Sequence, residues 1–236
     1  MSELLSVRNL SKRFELKDLG TEISACEDVS FSVGTGEFVG ITGRSGSGKS
    51  TILKMIYRSY LPGSGSIVYD SGLFGLVDIC ALSDRQVIHL RKRELGYVSQ
   101  FLGSAPRSTA YGLVERAVLD AGFGPEEARE RTEAMLDHFE LAGAIRDVYV
   151  GTLSGGEKLR LNLARAMAKG PRFLLLDEPT ASLDQRSKSR LAEIVARLAE
   201  EGATMLGIFH DLDFMDGVCD RVLRMESGRI VEAATC

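Results

Sequence analysis

Short apolar runs and alternating stretches dominate the chain up to Gln100, helical spacing dominates from Phe101 to Val150, and strand and helix alternate again afterwards. Leu4 to Leu10 reads as a short strand that ends in the polar stretch Ser11-Lys12-Arg13, with Phe14 after it. Val29, Phe31 and Val33 alternate with Ser30 and Ser32, the period of a half-buried strand. Gly34-Thr35-Gly36 predicts a turn, Phe38 to Ile41 a buried strand, and Ile52 to Ile56 the opening of a helix that runs to about Tyr60. Pro62-Gly63-Ser64-Gly65 breaks the chain before a further strand at Ile67-Val68-Tyr69. Ser83 with Gln86 three residues on is a capping box, so a helix is expected from there to about Arg93. Leu95 to Gln100 reads as a short strand ending in a glutamine.

The segment from Phe101 to Val150 is expected to form an inserted helical lobe, broken at Gly122-Phe123-Gly124-Pro125. Pro125-Glu126-Glu127 is a helix start, with proline in the first turn and acids at the positive end of the helix dipole. Ala128, Thr132, Met135, Leu136 and Phe139 then mark one helix face. Farther on, Phe173 to Leu176 is a continuous apolar run, as expected of a parallel strand covered on both faces. Leu191, Ile194, Val195 and Leu198 have helical spacing, and Thr204 to Phe209 is a second buried strand. A final hairpin, Arg221 to Met225 and Arg229 to Val231, turns at Ser227-Gly228.

Composition narrows this picture. The chain has 236 residues, 44% of them hydrophobic, which suits one sizeable domain or a core with one inserted lobe. A net charge of −4 carries no basic footprint for nucleic acid, and Arg91-Lys92-Arg93 followed by Glu94 reads as a solvated helix face. No apolar run approaches the ~18–20 residues of a membrane span, and the first residues lack the regions of a signal peptide. Cys26, Cys80, Cys219 and Cys236 have no close metal-ligand spacing and are expected to be free thiols. The expected setting is cytoplasmic, without direct membrane insertion.

The candidate chemistry begins at Gly43-Arg44-Ser45-Gly46-Ser47-Gly48-Lys49-Ser50-Thr51, which matches Gly-x4-Gly-Lys-[Ser/Thr] between a strand and a helix. The glycines let backbone N–H groups converge on phosphate oxygens, and the helix start adds partial positive charge. Lys49 can reach the β- and γ-phosphates of a nucleoside triphosphate, and the Ser50 hydroxyl can ligate Mg²⁺. Asp177 closes an apolar strand as a Mg²⁺-holding acid does, Glu178 beside it can act as general base on water, and His210 ends another strand where it can hold the γ-phosphate. Phe14 fits either a ring that stacks on a base or an ordinary half-buried strand aromatic. Ser154 with Glu157 is a second capping box, and Gly155 and Gly156 leave the first N–H groups of that helix uncovered by side chains.

Leu153-Ser154-Gly155-Gly156-Glu157, with Gln100, Asp177-Glu178-Pro179-Thr180-Ala181-Ser182-Leu183-Asp184 and His210, closely resembles the ATP-binding cassette (ABC) ATPases, in complete motif order over nearly the whole chain. The resemblance implies an α/β fold in one domain spanning 1–236: a RecA-like P-loop NTPase core, an N-terminal antiparallel β subdomain and an α-helical subdomain inserted at 101–150. It implies ATP and Mg²⁺ as ligands and a second ABC ATPase domain as partner, as a homodimer or with a related subunit, each phosphate loop facing the other domain's signature stretch. Carried over, Phe14 stacks on adenine, Gln100 senses Mg²⁺ and the γ-phosphate, Ser50, Gln100 and Asp177 are the metal residues, Glu178 is the base, Asp184 bridges the dimer and His210 is the switch. One departure is Glu157, where many members have glutamine. The strings Leu61-Pro62, Val98-Ser99-Gln100-Phe101-Leu102, Pro106-Arg107 and Gly207-Ile208-Phe209-His210-Asp211 further resemble the ABC-type L subunits of the bacterial carbon–phosphorus lyase system. That likeness implies an ATPase serving phosphonate breakdown, in the complex that makes ribose 1-methylphosphonate 5-triphosphate, with the core lyase complex as partner. The alternatives are the ATPase subunit of a membrane transporter and a nucleotide-binding scaffold that hydrolyses nothing.

Overall fold

A computed structural model gives the architecture and describes residues 2–16, 20–99, 107–141, 143–180, 183–209, 214–215 and 217–235. Among these residues two sheets form. The four-stranded antiparallel sheet has the order β2-β1-β4-β5, built from β1 (Glu3–Leu16), β2 (Thr21–Gly34), β4 (Ser64–Ser71) and β5 (Gly75–Asp78). The six-stranded sheet has the order β10-β9-β3-β8-β7-β6. Its strands are β3 (Phe38–Thr42), β6 (Leu95–Ser99), β7 (Phe173–Asp177), β8 (Thr204–Ile208), β9 (Arg221–Glu226) and β10 (Arg229–Thr235). All its pairings are parallel except that of β9 with β10.

The parallel strands separate two cores because successive side chains point to opposite faces. On β7, Phe173 and Leu175 join Val39, Ile41, Leu206 and Ile208 on the face that also holds Leu5, Val7 and Tyr69 of the antiparallel sheet. That core is completed by α1 (Lys49–Ile56) and α2 (Asp84–Arg93), through residues such as Ile52, Leu53, Val87 and Leu90. Leu174 and Leu176 face the other way, onto α3 (Ala110–Asp120), α4 (Pro125–His138), α5 (Gly155–Met167) and α6 (Gln185–Glu200). The apolar run at Phe173 is thus covered on both sides, and α3 and α4 lie in the stretch expected to be helical.

Two features differ from expectation. β1 and β2 extend well past Leu10 and back to Thr21, as a long hairpin arm whose outer residues, such as Ile23, are exposed. Phe14 therefore sits inside a strand, paired with Ile23. Beyond Cys26, which is buried, the arm carries no alternation because Thr21, Glu22, Ile23 and Ser24 are all exposed. Register shifts interrupt the hairpin, and Asn9 and Asp28 take positive φ there, joined by an Asn9 Nδ2 to Asp28 Oδ1 hydrogen bond of 2.7 Å. The strand β5 was also not legible: Gly-Leu-Val-Asp is too short and too exposed to show a period.

Candidate functional site

The phosphate loop runs from the end of β3 into α1, and close packing dictates its glycines. Gly48 caps α1 at φ 101, and a Cβ there would lie 1.8 Å from Ala25 O. Gly43, at φ 145, leaves only 2.1 Å between such a Cβ and Met225 O. The loop is therefore wedged between β2 and the β9–β10 hairpin, whose Gly228 carbonyl accepts from Glu27 N–H at 2.8 Å. Because Gly48 offers no side-chain cap, the first N–H groups of α1 are left for an anion. Lys49 folds into the loop, donating to Gly43 O at 2.7 Å and Arg44 O at 2.9 Å. Burial lowers its pKa, an effect partly offset by the charges of Glu178 and Asp177. The Ser47 hydroxyl is buried inside the loop with no hydrogen-bond partner and lies 3.0 Å from where a Cβ on Gly43 would stand.

Beside the loop lies a cleft of about 510 Å³ lined by Ser50, Lys54, Tyr57, Ser59, Tyr60, Tyr97, Ser99, Asp177 and Glu178. Asp177 ends β7, and both its oxygens are engaged: Ser50 Oγ donates to Oδ1 at 2.9 Å and Tyr97 Oη to Oδ2 at 2.6 Å. Consecutive residues of a strand face opposite ways, yet Glu178 lines the same cleft as Asp177. Glu178 manages this with φ 52, a left-handed turn just past the strand, fixed by donation of its N–H to Ile208 O at 3.1 Å. A non-glycine residue in that region costs about 1 kcal/mol or more, and such strain collects at functional sites. Phe14 meets Tyr60 edge-on at 5.3 Å, and the Lys12 and Lys54 ammoniums lie 5.2 and 5.7 Å from the Phe14 and Tyr60 rings.

The signature residues stand apart from this cleft. Ser154 caps α5, accepting from Glu157 N–H at 3.3 Å, while Ser154 N–H donates to Glu157 Oε2 at 2.7 Å. Ser154 Oγ also donates to Glu157 Oε2 at 2.7 Å, and the hydroxyl and N–H of Ser154 together hold the Glu157 carboxyl below its ordinary pKa; Gln86 closes the Ser83 cap in the same way, so the cap is equally open to glutamine. The cap does not use the N–H groups of Gly155 and Gly156. A Cβ on Gly156 would lie 3.0 Å from Ser187 Oγ, and the surrounding depression is lined by Leu159, Arg160, Leu183, Ser187 and Arg190, with no residue of the phosphate loop. Asp184 is the exposed N-cap of α6, accepting from Ser187 N–H at 2.8 Å, which lowers its pKa. Gln100, His210, Phe101, Leu102, Pro106, Ala181, Ser182, Asp211 and Cys236 lie outside the described residues. Cys26, Cys80 and Cys219 are free thiols.

Sequence reasoning assembled Ser50, Asp177 and Glu178 but missed Tyr97. The only sign of it was a polar aromatic in an apolar strand, two residues before Ser99.

Comparison with known proteins decides the family. Residues 26–181 match the family model described as ABC transporter. The chain belongs to that family. A protein from Brucella ovis named as a peptide import ATP-binding protein is 34% identical over 98% of this chain and 72% of its own length. The methionine import ATP-binding protein of Cupriavidus metallidurans is 33% identical over 98% of this chain and 64% of its own length. Among solved structures, the ATP-binding cassette MJ0796, in a dimeric post-hydrolysis state bound to ADP and Pi, matches with TM-score 0.88 and 28% identity, covering 98% of each chain. This ABC cassette is an ATP-hydrolysing P-loop NTPase of the α/β class, with an antiparallel β part and a helical part. Among its described residues no helix is long and apolar enough to cross a membrane.

The expected role in carbon–phosphorus lyase, with the lyase complex as partner, is overturned by these relatives, which are named for peptide and methionine import. Of the strings behind that expectation, Gly207 and Ile208 lie in the buried strand β8 with Phe209 buried just after it, and Leu61-Pro62 is irregular chain between α1 and β4, with Leu61 half exposed. Neither carries chemistry that distinguishes one partner from another.

Proposed function

We propose that this cassette is the ATPase subunit of an ABC import system for a peptide or amino-acid-sized solute, paired with membrane-spanning subunits. The observation that carries the reading is 34% identity over 98% of the chain to a protein named for peptide import. Two cassettes close around ATP, the phosphate loop of each receiving Ser154, Gly155, Gly156 and Glu157 of the other, with Asp184 at the dimer seam. Their separation within one chain, described above, supports a site completed by a second copy.

In this reading Gly43 to Thr51 hold the triphosphate. Lys49 exchanges the Gly43 and Arg44 carbonyls for phosphate oxygens, and Phe14 stacks on adenine. The donor set fits Mg²⁺: a hydroxyl and a carboxylate already 2.9 Å apart, both oxygen ligands suited to a hard cation. Ser50 and Asp177 would hold it, and it would supply neutralisation of the phosphate charge. Glu178, turned into the cleft, takes the proton of the attacking water. The whole chain works as one ATPase domain, with the helical stretch at 101–150 as its insert.

Uptake tests the reading. A strain whose chromosomal copy carries Lys49→Ala is expected to lose accumulation of a labelled oligopeptide or methionine while the subunit is still made. Unchanged uptake of both classes of solute would overturn the import assignment.

A further inference from the structure

Tyr97 stands on β6, which pairs in parallel with β7 so that Ser99 lies opposite Asp177. Its side chain crosses under the cleft to reach the far oxygen of Asp177 at 2.6 Å, while Ser50 takes the near one. The ring is held from behind. Tyr57 lies against it at 4.8 Å between centroids, the Arg91 guanidinium covers Tyr57 at 4.6 Å, and Arg91 Nε donates to Tyr57 O at 2.8 Å. Tyr57 and Arg91 belong to α1's C-terminal end and to α2, so two helices fix the tyrosine that fixes the carboxylate.

We infer that Tyr97 is a positioning residue that presets the Asp177 carboxylate for a divalent cation. The inference rests on the reading of Ser50 and Asp177 as the metal's ligands. An Asp side chain at a strand end is otherwise free to rotate about χ1 and χ2. Tyr97 removes that freedom. With Oδ2 tied to Tyr97, Oδ1 is kept beside the Ser50 hydroxyl, and ligand and co-ligand are already together before nucleotide arrives. Partners that orient a metal ligand in this way are worth about 10- to 100-fold in metal affinity. Tyr97 touches neither nucleotide nor reacting atoms in this account and acts only through Asp177.

The experiment is nucleotide binding by Tyr97→Phe and the wild type, titrated with a fluorescent ATP analogue in EDTA and across a Mg²⁺ series, with thermal unfolding of both. Phenylalanine keeps the ring against Tyr57 and deletes only the donor. The expected result is equal affinity in EDTA, together with about a tenfold rise in the Mg²⁺ concentration that gives half-maximal tightening. The same shift is expected with Mn²⁺. A Mg²⁺ midpoint equal to that of the wild type, or an affinity that falls equally with and without metal, overturns the inference. A wild type whose binding ignores Mg²⁺ overturns the metal site itself, and Tyr97's role with it.

Discussion

Replacing Lys49 by methionine tests the phosphate loop at its centre. The residue is only 3% exposed, and methionine keeps much of the side chain's length without its charge. In the nucleotide-free protein the change deletes two hydrogen bonds, to Gly43 O and Arg44 O, worth about 1 kcal/mol each net. It also relieves the burial of an ammonium, which is the dominant influence on this group's titration. The two effects oppose each other, so the thermal midpoint is expected to move by only a few degrees. ATP binding has no such offset. A unit charge about 4 Å from a phosphate charge is worth about 4 kcal/mol at an effective dielectric of 20. Giving up the two carbonyls returns about 2 kcal/mol of that. The remaining ~2 kcal/mol corresponds to about a thirtyfold loss of affinity. Calorimetric ATP titration beside a melting curve reads both quantities. A folded variant that binds ATP within threefold of the wild type would refute the reasoning, as would a collapse in stability with affinity unchanged.

Gly48→Ala is expected to cost more than about 3 kcal/mol in urea unfolding, from left-handed strain added to a Cβ forced to 1.8 Å from Ala25 O; a cost below 1 kcal/mol contradicts the packing described. Lys169 donates to the carbonyls of Arg91 and Leu95 at 2.8 and 3.0 Å, and burial lowers its pKa to about 8. Between pH 8 and the ordinary lysine value the unfolded chain holds this proton and the folded one does not, so stability rises with pH through that window. The wild type should therefore gain on Lys169→Met by on the order of 2–3 kcal/mol from pH 8 to pH 10.5, and parallel stability curves would contradict this. Ser154→Arg should leave ATP binding by the monomer intact while abolishing turnover, and a fully active variant would exclude the signature contact.

Legibility followed how local the physics was. The phosphate loop could be read because its φ angles and close contacts admit only glycine at Gly43 and Gly48, so residue type and spacing carry the geometry. Phe173 to Leu176 was equally plain, since both faces of β7 are buried. The hairpin arm was cut short because its outer residues meet solvent on both faces, leaving no hydrophobic period. The meeting of Asp177 and Glu178 in one cleft needed the left-handed turn at Glu178, and no residue preference announces a glutamate at positive φ. Tyr97 was invisible for a different reason: its partner is 80 residues away, brought alongside only by the pairing of β6 with β7. The carbon–phosphorus lyase role was misread because strings such as Gly207-Ile208-Phe209 satisfy the fold and say nothing of what docks on it.

The central claim is that two copies of this ABC cassette close around ATP with Glu178 as the base that opens them again. The most direct measurement is the mass of Glu178→Gln in solution by light scattering, with and without MgATP. Glutamine keeps size and hydrogen bonding but cannot take the water's proton, which costs on the order of 10²–10⁴-fold in rate and traps the nucleotide. The account predicts a monomer without nucleotide and a stable dimer with MgATP. A Glu178→Gln protein that stays monomeric at saturating MgATP would contradict it.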